Sequence, residues 1–229
     1  MNPANTITGT EGSSIGNTLL TTFIDSDTPT LGDLSATINW GNGTSSSGTI
    51  AFVSGDTYDL YGSHTYFEEG GYTYSVTVDD SANSLSGGNN GSATIADAPL
   101  TAGSPVNGSG MPLVAIGGVL GTFLDANPFG PISDFTATID WGDGTAVSGG
   151  TITQPGGVGT PFDVTGTHTY SVDGLYNPTI TIDDDGGSIT TDMASEQITP
   201  EPGTFVFCGT GILFAYAALR LRRKNRSRC

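Results

Sequence analysis

Two segments about 100 residues apart show a strict alternation of apolar and polar side chains. In the first, Leu34, Ala36, Ile38 and Trp40 alternate with polar residues. The second repeats the pattern with Phe135, Ala137, Ile139 and Trp141. A period of two over seven residues predicts a strand that is buried on one face. Gly-Asn-Gly or Gly-Asp-Gly follows each tryptophan and predicts a tight turn that needs positive φ.

A second apolar face follows in each segment and supports the same interpretation. It is formed by Tyr72, Tyr74, Val76 and Val78, matched later by Tyr176, Pro178, Ile180 and Ile182. Proline has no N–H to give to a ladder, so the strand at Pro178 is predicted to be at an edge or bulged. No long amphipathic helix is visible before residue 204. Short strands around one tryptophan predict an antiparallel β-sandwich.

The body of the chain is an internal duplication. Residues 34–44 match 135–145 at an offset of 101, and 62–66 match 166–170 at an offset of 104. A period near 100 residues indicates tandem whole domains. We predict one domain at 1–98, a linker at 99–105 and a second domain at 106–198. The predicted core aromatics are Trp40, Trp141, Tyr66, Tyr170, Tyr72 and Tyr176.

The repeated motifs resemble those of PKD-type repeats. They are Trp-Gly-Asp-Gly-Thr at 141–145, His-Thr-Tyr at 168–170 and Asp-Asp at 183–184. The first repeat departs from the pattern, with Asn39 and Asn42 where the second has Asp140 and Asp143. The resemblance implies Ig-like sandwiches of the kind found in bacterial surface proteins, acting as spacer or adhesion modules.

Charge is sharply segregated along the chain. All 23 acidic residues precede position 202, and every basic residue lies at its very end. An acidic body without Lys or Arg cannot bind phosphate groups, so nucleic acid is excluded as a partner. Such a surface attracts metal cations instead. The basic cluster is Arg220, Arg222, Arg223, Lys224, Arg226 and Arg228.

The C-terminal segment predicts a membrane helix. Residues 204–219 carry no charge, and the basic cluster follows at once. The length alone would also suit a buried globular helix. The adjoining positive charge instead favours a span at 204–221 with a cytoplasmic tail at 222–229. Residues 1–203 would then lie outside the cytoplasm. Because no export signal is visible at the N-terminus, we expect a fragment or a gene start placed too far downstream.

The residues before that helix complete a second resemblance. Pro200, Glu201 and Pro202 precede the apolar run and the arginine-rich end, an order that resembles the PEP-CTERM sorting signal, here at 199–229. The resemblance implies recognition and processing by an exosortase, a membrane transpeptidase or protease. It implies a single-pass inner-membrane intermediate and a final location at the cell surface or outside the cell. Members are often linked to biofilm, so extracellular polysaccharide or surface proteins are the expected partners.

Catalytic candidates are few. His64 and His168 are the only histidines, and they occupy equivalent positions in the two repeats. One active site would not need both, so a structural role at a strand corner is favoured over catalysis. No phosphate loop or zinc motif occurs, and no third catalytic partner accompanies the histidines. We predict no enzymatic activity and no organic cofactor, while a catalytic domain upstream of this fragment stays open as an alternative.

Calcium is the alternative for the acidic residues. The run Asp183, Asp184 and Asp185, with Asp79 and Asp80 in the first repeat, supplies the hard oxygen ligands that calcium prefers. No EF-hand loop is present, and aspartates at strand ends also form turns. The sequence therefore predicts an all-β protein of two Ig-like (PKD-like) sandwiches followed by one transmembrane helix. Its function is that of a surface or matrix protein, or else of a calcium-dependent binding module.

Overall fold

The structure is a computed structural model that describes residues 1–26 and 31–201. These residues form nineteen β-strands and two short 3-10 turns, Leu31–Asp33 and Ile132–Asp134, and contain no α-helix. The all-β prediction is confirmed. The strands divide into two groups, each enclosing its own hydrophobic core.

The first domain is a sandwich of a five-stranded and a three-stranded sheet. The strand order is β1-β8-β7-β3-β4 in the larger sheet and β2-β6-β5 in the smaller. All pairs are antiparallel except β1 with β8. The strands are β1 (Thr6–Thr10), β2 (Thr18–Ile24), β3 (Leu34–Asn39), β4 (Ser45–Ser47), β5 (Thr49–Ser54), β6 (Thr57–Gly62), β7 (Gly70–Asp80) and β8 (Leu85–Ala96).

The second domain also packs β-sheets around one core, but its strands are interrupted more often and form three sheets. Its sheets have the strand orders β14-β15-β11-β9, β13-β12-β17-β18 and β10-β19-β16. The strands are β9 (Leu100–Ala102), β10 (Asn107–Gly110), β11 (Ile116–Asp125), β12 (Phe135–Asp140), β13 (Ser148–Gly149), β14 (Thr151–Thr153), β15 (Phe162–His168), β16 (Gly174–Tyr176), β17 (Thr179–Asp184), β18 (Ile189–Met193) and β19 (Ser195–Ile198).

The alternating segments form the centre of each core. In β3 the side chains of Leu34, Ala36 and Ile38 are buried and their neighbours are exposed, and β12 repeats this pattern. Of the six predicted core aromatics, four are almost fully buried and two are half-buried against the core. The buried four are Trp40, Trp141, Tyr66 and Tyr170, and the half-buried two are Tyr72 and Tyr176.

The connection between the domains is shorter than the predicted linker at 99–105. Leu100–Ala102 is β9, which pairs with β11 and so belongs to a sheet of the second domain. The prolines at 99 and 105 suggested an irregular stretch. The three residues that form β9 lie between these prolines and keep their N–H groups, so they can pair in a sheet. The chain therefore passes between domains close to Asp97.

The strand that contains Pro178 differs between the repeats. In the first domain β7 is continuous over eleven residues. In the second domain its counterpart is divided at Asn177 and Pro178 into β16 and β17, which lie in different sheets. The N–H of Ala194 donates to the Pro178 carbonyl (2.9 Å) at the break. The missing N–H of Pro178 thus interrupts the ladder.

The predicted membrane helix at 204–221 and the basic cluster lie outside the described residues. Within the part that is described, no helix is long and apolar enough to span a membrane. The last described residues, Pro200 and Glu201, lie one residue beyond the end of β19 and are exposed. The N–H of Thr199 donates to the carbonyl of Gly110 (3.0 Å), which fixes the chain just before them.

Candidate functional site

Each domain contains the same cluster of tryptophan, histidine and tyrosine. In the first domain the ring of His64 stacks on Trp40, with centroids 4.8 Å apart and an angle of 7°. Tyr66 meets the same histidine edge-on at 4.6 Å. In the second domain His168 stacks on Trp141 at 4.7 Å and 12°, and Tyr170 takes the edge position. Both histidine rings are thus enclosed by aromatic neighbours.

Polar atoms of the cluster fix the turn after the tryptophan. The Tyr66 hydroxyl donates to the Trp40 carbonyl, and the Tyr170 hydroxyl to the Trp141 carbonyl, both at 3.1 Å. Burial raises the pKa of Tyr66 to about 12 and also raises that of Tyr170, so both phenols stay protonated as donors. Each of these hydrogen bonds joins the segment that carries the tyrosine to the end of the strand that carries the tryptophan, which is a structural role.

The two clusters differ at one position of the Gly-x-Gly turn. In the first domain, the Asn42 side-chain nitrogen lies 3.1 Å from Nε2 of His64. An amide nitrogen only donates, so Nε2 accepts and the proton lies on Nδ1. Burial lowers the pKa of His64, which favours this neutral form. In the second domain, Asp143 replaces the asparagine, and Nε2 of His168 donates to Oδ2 of Asp143 (2.8 Å).

Hydrogen bonds hold Asp143 in its charged form. Burial raises its pKa, but donors from Thr145 and His168 outweigh that effect and bring the pKa to about 2. The Thr145 hydroxyl donates to Asp143 (2.6 Å). A hydroxyl that acts as a nucleophile donates to the histidine that serves as its base, whereas the Thr145 hydroxyl donates to Asp143. The His–Asp pair is therefore arranged to clamp a turn.

A second feature lies where the two domains meet. Eight carboxylates from both domains and from the connection interact there electrostatically. We call this group the acidic junction. It consists of Glu11, Glu68, Glu69, Asp97, Asp125, Asp134, Asp184 and Asp185.

Three glutamates of the first domain form one side of the acidic junction. Glu11 follows β1, and Glu68 and Glu69 lie in the loop before β7. One carboxylate oxygen from each lies within 4.8 Å of the others. Two unit charges at that separation repel by about 3.5 kcal/mol at an effective dielectric constant of about 20. Glu11 is only 4% exposed, and burial together with Asp125, Glu69 and Asp97 raises its pKa to about 7.

The connecting residue Asp97 lies between the two sides. One of its oxygens, Oδ2, accepts from the N–H of Ser188 (2.5 Å). The other, Oδ1, is buried and has no hydrogen-bond partner among the described residues. Its charge acts on Glu11, Asp125 and Asp184. A buried oxygen without a donor is costly, so Oδ1, unlike Oδ2, lacks a compensating donor among the described residues.

The second domain supplies the other side. Asp125 ends β11, Asp134 ends the 3-10 turn, and Asp184 ends β17. Burial raises the pKa of all three, and that of Asp184 reaches about 7. Asp185 adds its charge to that of Asp134.

The aspartate run predicted as a calcium site is divided by this arrangement. Asp183 and Asp184 are neighbours on a strand, so their side chains leave opposite faces of β17. Asp184 and Asp185 belong to the acidic junction, whereas Asp183 is paired across the sheet with Thr136 and Ile189. The three residues therefore do not form one ligand group. In the first repeat, Asp80 accepts from Ala82 and Asn83 and closes its own turn.

Neutral contacts hold the domains together around the carboxylates. The side chain of Asn127, 3% exposed, donates to the carbonyl of Phe67 (2.8 Å) in the first domain. The rings of Phe67 and Phe129 meet with centroids 4.8 Å apart. A Cβ on Gly12 would lie 2.5 Å from the Asn127 oxygen, so glycine permits this close approach. The acidic residues are thus held near each other by contacts that do not neutralise them.

Sequence reasoning did not select most residues of the acidic junction. Apart from the neighbours Glu68 and Glu69, these residues lie far apart along the chain and in no shared motif: Glu11, Glu68, Glu69, Asp97 and Asp125. The available signal was the complete lack of Lys and Arg before residue 220, which means that a buried carboxylate in the body finds no Lys or Arg partner within the body.

Comparison with known proteins gives only weak likenesses. No protein-family model matches the sequence, and no curated protein does. Similar solved structures include a three-Ig segment of titin (13% identity, 86% of this chain and 63% of that chain, TM-score 0.41). Another is the EC22–24 segment of mouse cadherin-23 (15%, 86% and 63%, TM-score 0.38). A third is an endo-fucoidan hydrolase of glycoside hydrolase family 107 (18%, 87% and 28%, TM-score 0.33).

These likenesses identify no family for the chain. It spans 28% of the length of the fucoidan hydrolase, and the hydrolase's activity is not carried over to it.

Proposed function

We propose that the chain is an exported bacterial surface or extracellular-matrix protein. Its two β-sandwich domains act as spacer or adhesion modules, and residues 199–229 are a sorting signal for an exosortase-type membrane enzyme. The observation that carries the proposal is the charge order: an acidic β body, then Pro200, Glu201 and Pro202, then an uncharged run, then all six basic residues. Positive charge beyond an apolar run resists translocation, so the body would lie outside the cytoplasm.

The position of the motif supports processing. Pro200 and Glu201 are exposed and lie one residue beyond the last strand of the second domain. Proline disfavours helix at the residue before it, so the tripeptide keeps the backbone extended. An enzyme in the membrane needs such an accessible, non-helical segment between the folded domain and the bilayer.

The histidine clusters support a non-enzymatic body. His64 and His168 are each enclosed by a tryptophan and a tyrosine and hydrogen-bonded to a turn residue. We therefore propose that both are structural. A hydrolase screen of the full chain should give no activity, and any activity that disappears in His168→Ala would contradict this assignment.

The sorting proposal is tested by expression behind a working signal peptide in a host with the sorting enzyme. Mass spectrometry of the surface protein should show a product that lacks Arg220–Arg228. Glu201→Ala should remain uncut and bound to the membrane, whereas the exposed strand variant Gln197→Ala should be processed normally. An intact arginine tail on surface-located wild-type protein would disprove sorting, because the enzyme would then have left its substrate uncut.

A further inference from the structure

We propose that the end of the second domain beside Pro200 rests on the surface of the lipid bilayer through a group of apolar residues, which we call the apolar tip. The apolar tip consists of Met111, Pro112, Leu113, Val114 and Val172. The proposal rests on the membrane anchor of the proposed function and adds to it that the folded domain itself touches lipid.

The apolar tip is formed by a turn and a neighbouring loop. The N–H of Val114 donates to the Met111 carbonyl (3.3 Å) and closes the turn. The N–H of Leu113 donates to the Tyr170 carbonyl (2.8 Å), which holds the turn beside the loop that contains Val172. The exposed members are Met111, Leu113, Val114 and Val172. Single exposed apolar residues are normal on a protein surface, whereas a group of them in one place marks a contact site.

The first domain has different residues at the same positions. The N–H of Gly12 donates to the Tyr66 carbonyl (2.8 Å), as that of Leu113 does to Tyr170, so the two ends correspond. The residues that correspond to the apolar tip are Thr10, Glu11, Gly12, Ser13 and Glu68. An apolar side chain thus replaces a polar one or a glycine at all five positions. In the first domain this end contacts the second domain, where Gly12 lies against Asn127. The two equivalent ends therefore suit different neighbours.

Leu113 keeps a backbone conformation that suits glycine. Its φ is 63°, close to the 67° of Gly12, and a residue with a large side chain is strained in this region. Leu113 is also 76% exposed, so it gains little packing within the described part of the chain. An exposed leucine on a strained backbone is explained by a contact that buries it from outside the chain.

The place of the apolar tip along the chain indicates lipid as that contact. One groove is shared by the turn and the sorting motif, and its lining residues are Met111, Pro112, Val114, Pro200 and Glu201. The uncharged run begins at Thr204, three residues beyond Glu201. Three residues span at most about 11 Å, and the headgroup region on each side of a bilayer is about 5–8 Å thick. A run that enters the bilayer at Thr204 therefore brings the groove to the headgroups.

The charges of the chain favour an apolar contact with lipid over an electrostatic one. No Lys or Arg lies before residue 220, so the body cannot attract anionic headgroups. The apolar tip contains no charged residue, and its acidic neighbours Asp173 and Glu201 are exposed. A surface of this kind binds the bilayer interface by burying apolar area among the headgroups.

The test uses the full-length chain in vesicles of phosphatidylcholine, with or without bromine on the acyl chains, because bromine quenches a tryptophan that reaches the lipid. Leu113→Trp places a reporter in the apolar tip. Val158→Trp is the matched control: Val158 is 75% exposed in the same domain, but its loop contacts Pro128 at the end that meets the first domain. The two natural tryptophans are buried and common to all variants, so the wild type gives the background.

We expect brominated lipid to quench most of the emission that Leu113→Trp adds and to leave the emission that Val158→Trp adds unchanged. Val172→Glu, which restores the residue type of the first domain, should reduce the quenching of Leu113→Trp when the two are combined, because a carboxylate resists entry into lipid. The changed residues are exposed, so each variant should melt at the wild-type temperature by circular dichroism. Val172→Trp serves as a second reporter if Leu113→Trp alters the melt.

Flotation of the same vesicles separates this contact from the anchor. If the chain floats with the vesicles but its tip reporters are quenched no more than Val158→Trp, the anchor stands and the lipid contact of the apolar tip is overturned. If the chain does not float, the proposed anchor is wrong and the tip contact falls with it. If Val172→Glu blocks processing in a host with the sorting enzyme while the vesicles give no quenching, the apolar tip binds that enzyme, which also overturns a lipid contact.

Discussion

The two histidine clusters allow a pH experiment with an internal control. Asp143 has a pKa of about 2 in the folded chain, against an ordinary value of 3.8. Because the folded-state pKa is lowered, Asp143 stabilises the fold at pH values above about 4. That contribution is lost as the pH falls through about 2. Asn42 occupies the same place in the first domain and does not titrate there.

The magnitude follows from the difference between the two pKa values. The fall of the Asp143 pKa from 3.8 to about 2 corresponds to at most about 2.5 kcal/mol. The Asp143 side chain is 11% exposed and the turn is in contact with water, so solvent screening should reduce the effect to about 1–2 kcal/mol. Asp143→Asn should therefore lower the free energy of unfolding of the second domain by that amount at pH 6, and by much less near pH 2.

The assay is urea denaturation of the full chain between pH 6 and pH 2, comparing wild type with Asp143→Asn. The reciprocal variant Asn42→Asp should introduce the same pH dependence into the first domain, with Nε2 of His64 changing from acceptor to donor. A stability difference between wild type and Asp143→Asn that stays constant from pH 6 to pH 2 would refute the reasoning, because the carboxylate would then have no altered pKa.

Two further changes test the packing. Trp141→Ala removes a side chain that is 2% exposed and should cost about 3–5 kcal/mol, unfolding the second domain while the first keeps a cooperative melt by circular dichroism; equal loss in both melts would contradict separate cores. Asn127→Ala removes the donor to Phe67 and should cost about 1–2 kcal/mol in denaturant unfolding, whereas the exposed neighbour variant Pro128→Ala should cost little.

Local pattern was sufficient to predict the strands and their buried faces. In β3 and β12 every second residue is apolar. A shift of the strand by one residue would expose the whole apolar face, so the pattern fixes which side chains are buried. The interruption at Pro178 follows equally from a missing N–H. These features depend on residues that are neighbours in the sequence, so the sequence pattern is enough to predict them.

The acidic junction could not be predicted in the same way. Glu11 and Asp125 are more than 100 residues apart, and only the packing of one domain on the other brings them into interaction. Asp80 and Asp184 occupy equivalent places in the repeats, and each accepts from the N–H two residues further on, yet only Asp184 faces the acidic junction. The two aspartates differ in their tertiary surroundings, which the internal duplication of the sequence does not reveal.

The acidic junction joins unlike ends of two similar domains, so the contact is head-to-tail and has no two-fold symmetry. Such a contact is not self-complementary, so further copies of the same unit can continue it. Asp25, Asp33 and Asp80 hold the places in the first domain that Asp125, Asp134 and Asp184 hold in the second. The first domain thus repeats, at its opposite end, the three aspartate positions of that side of the acidic junction. A head-to-tail contact of this kind lengthens an array by whole domains, each of which adds one joint.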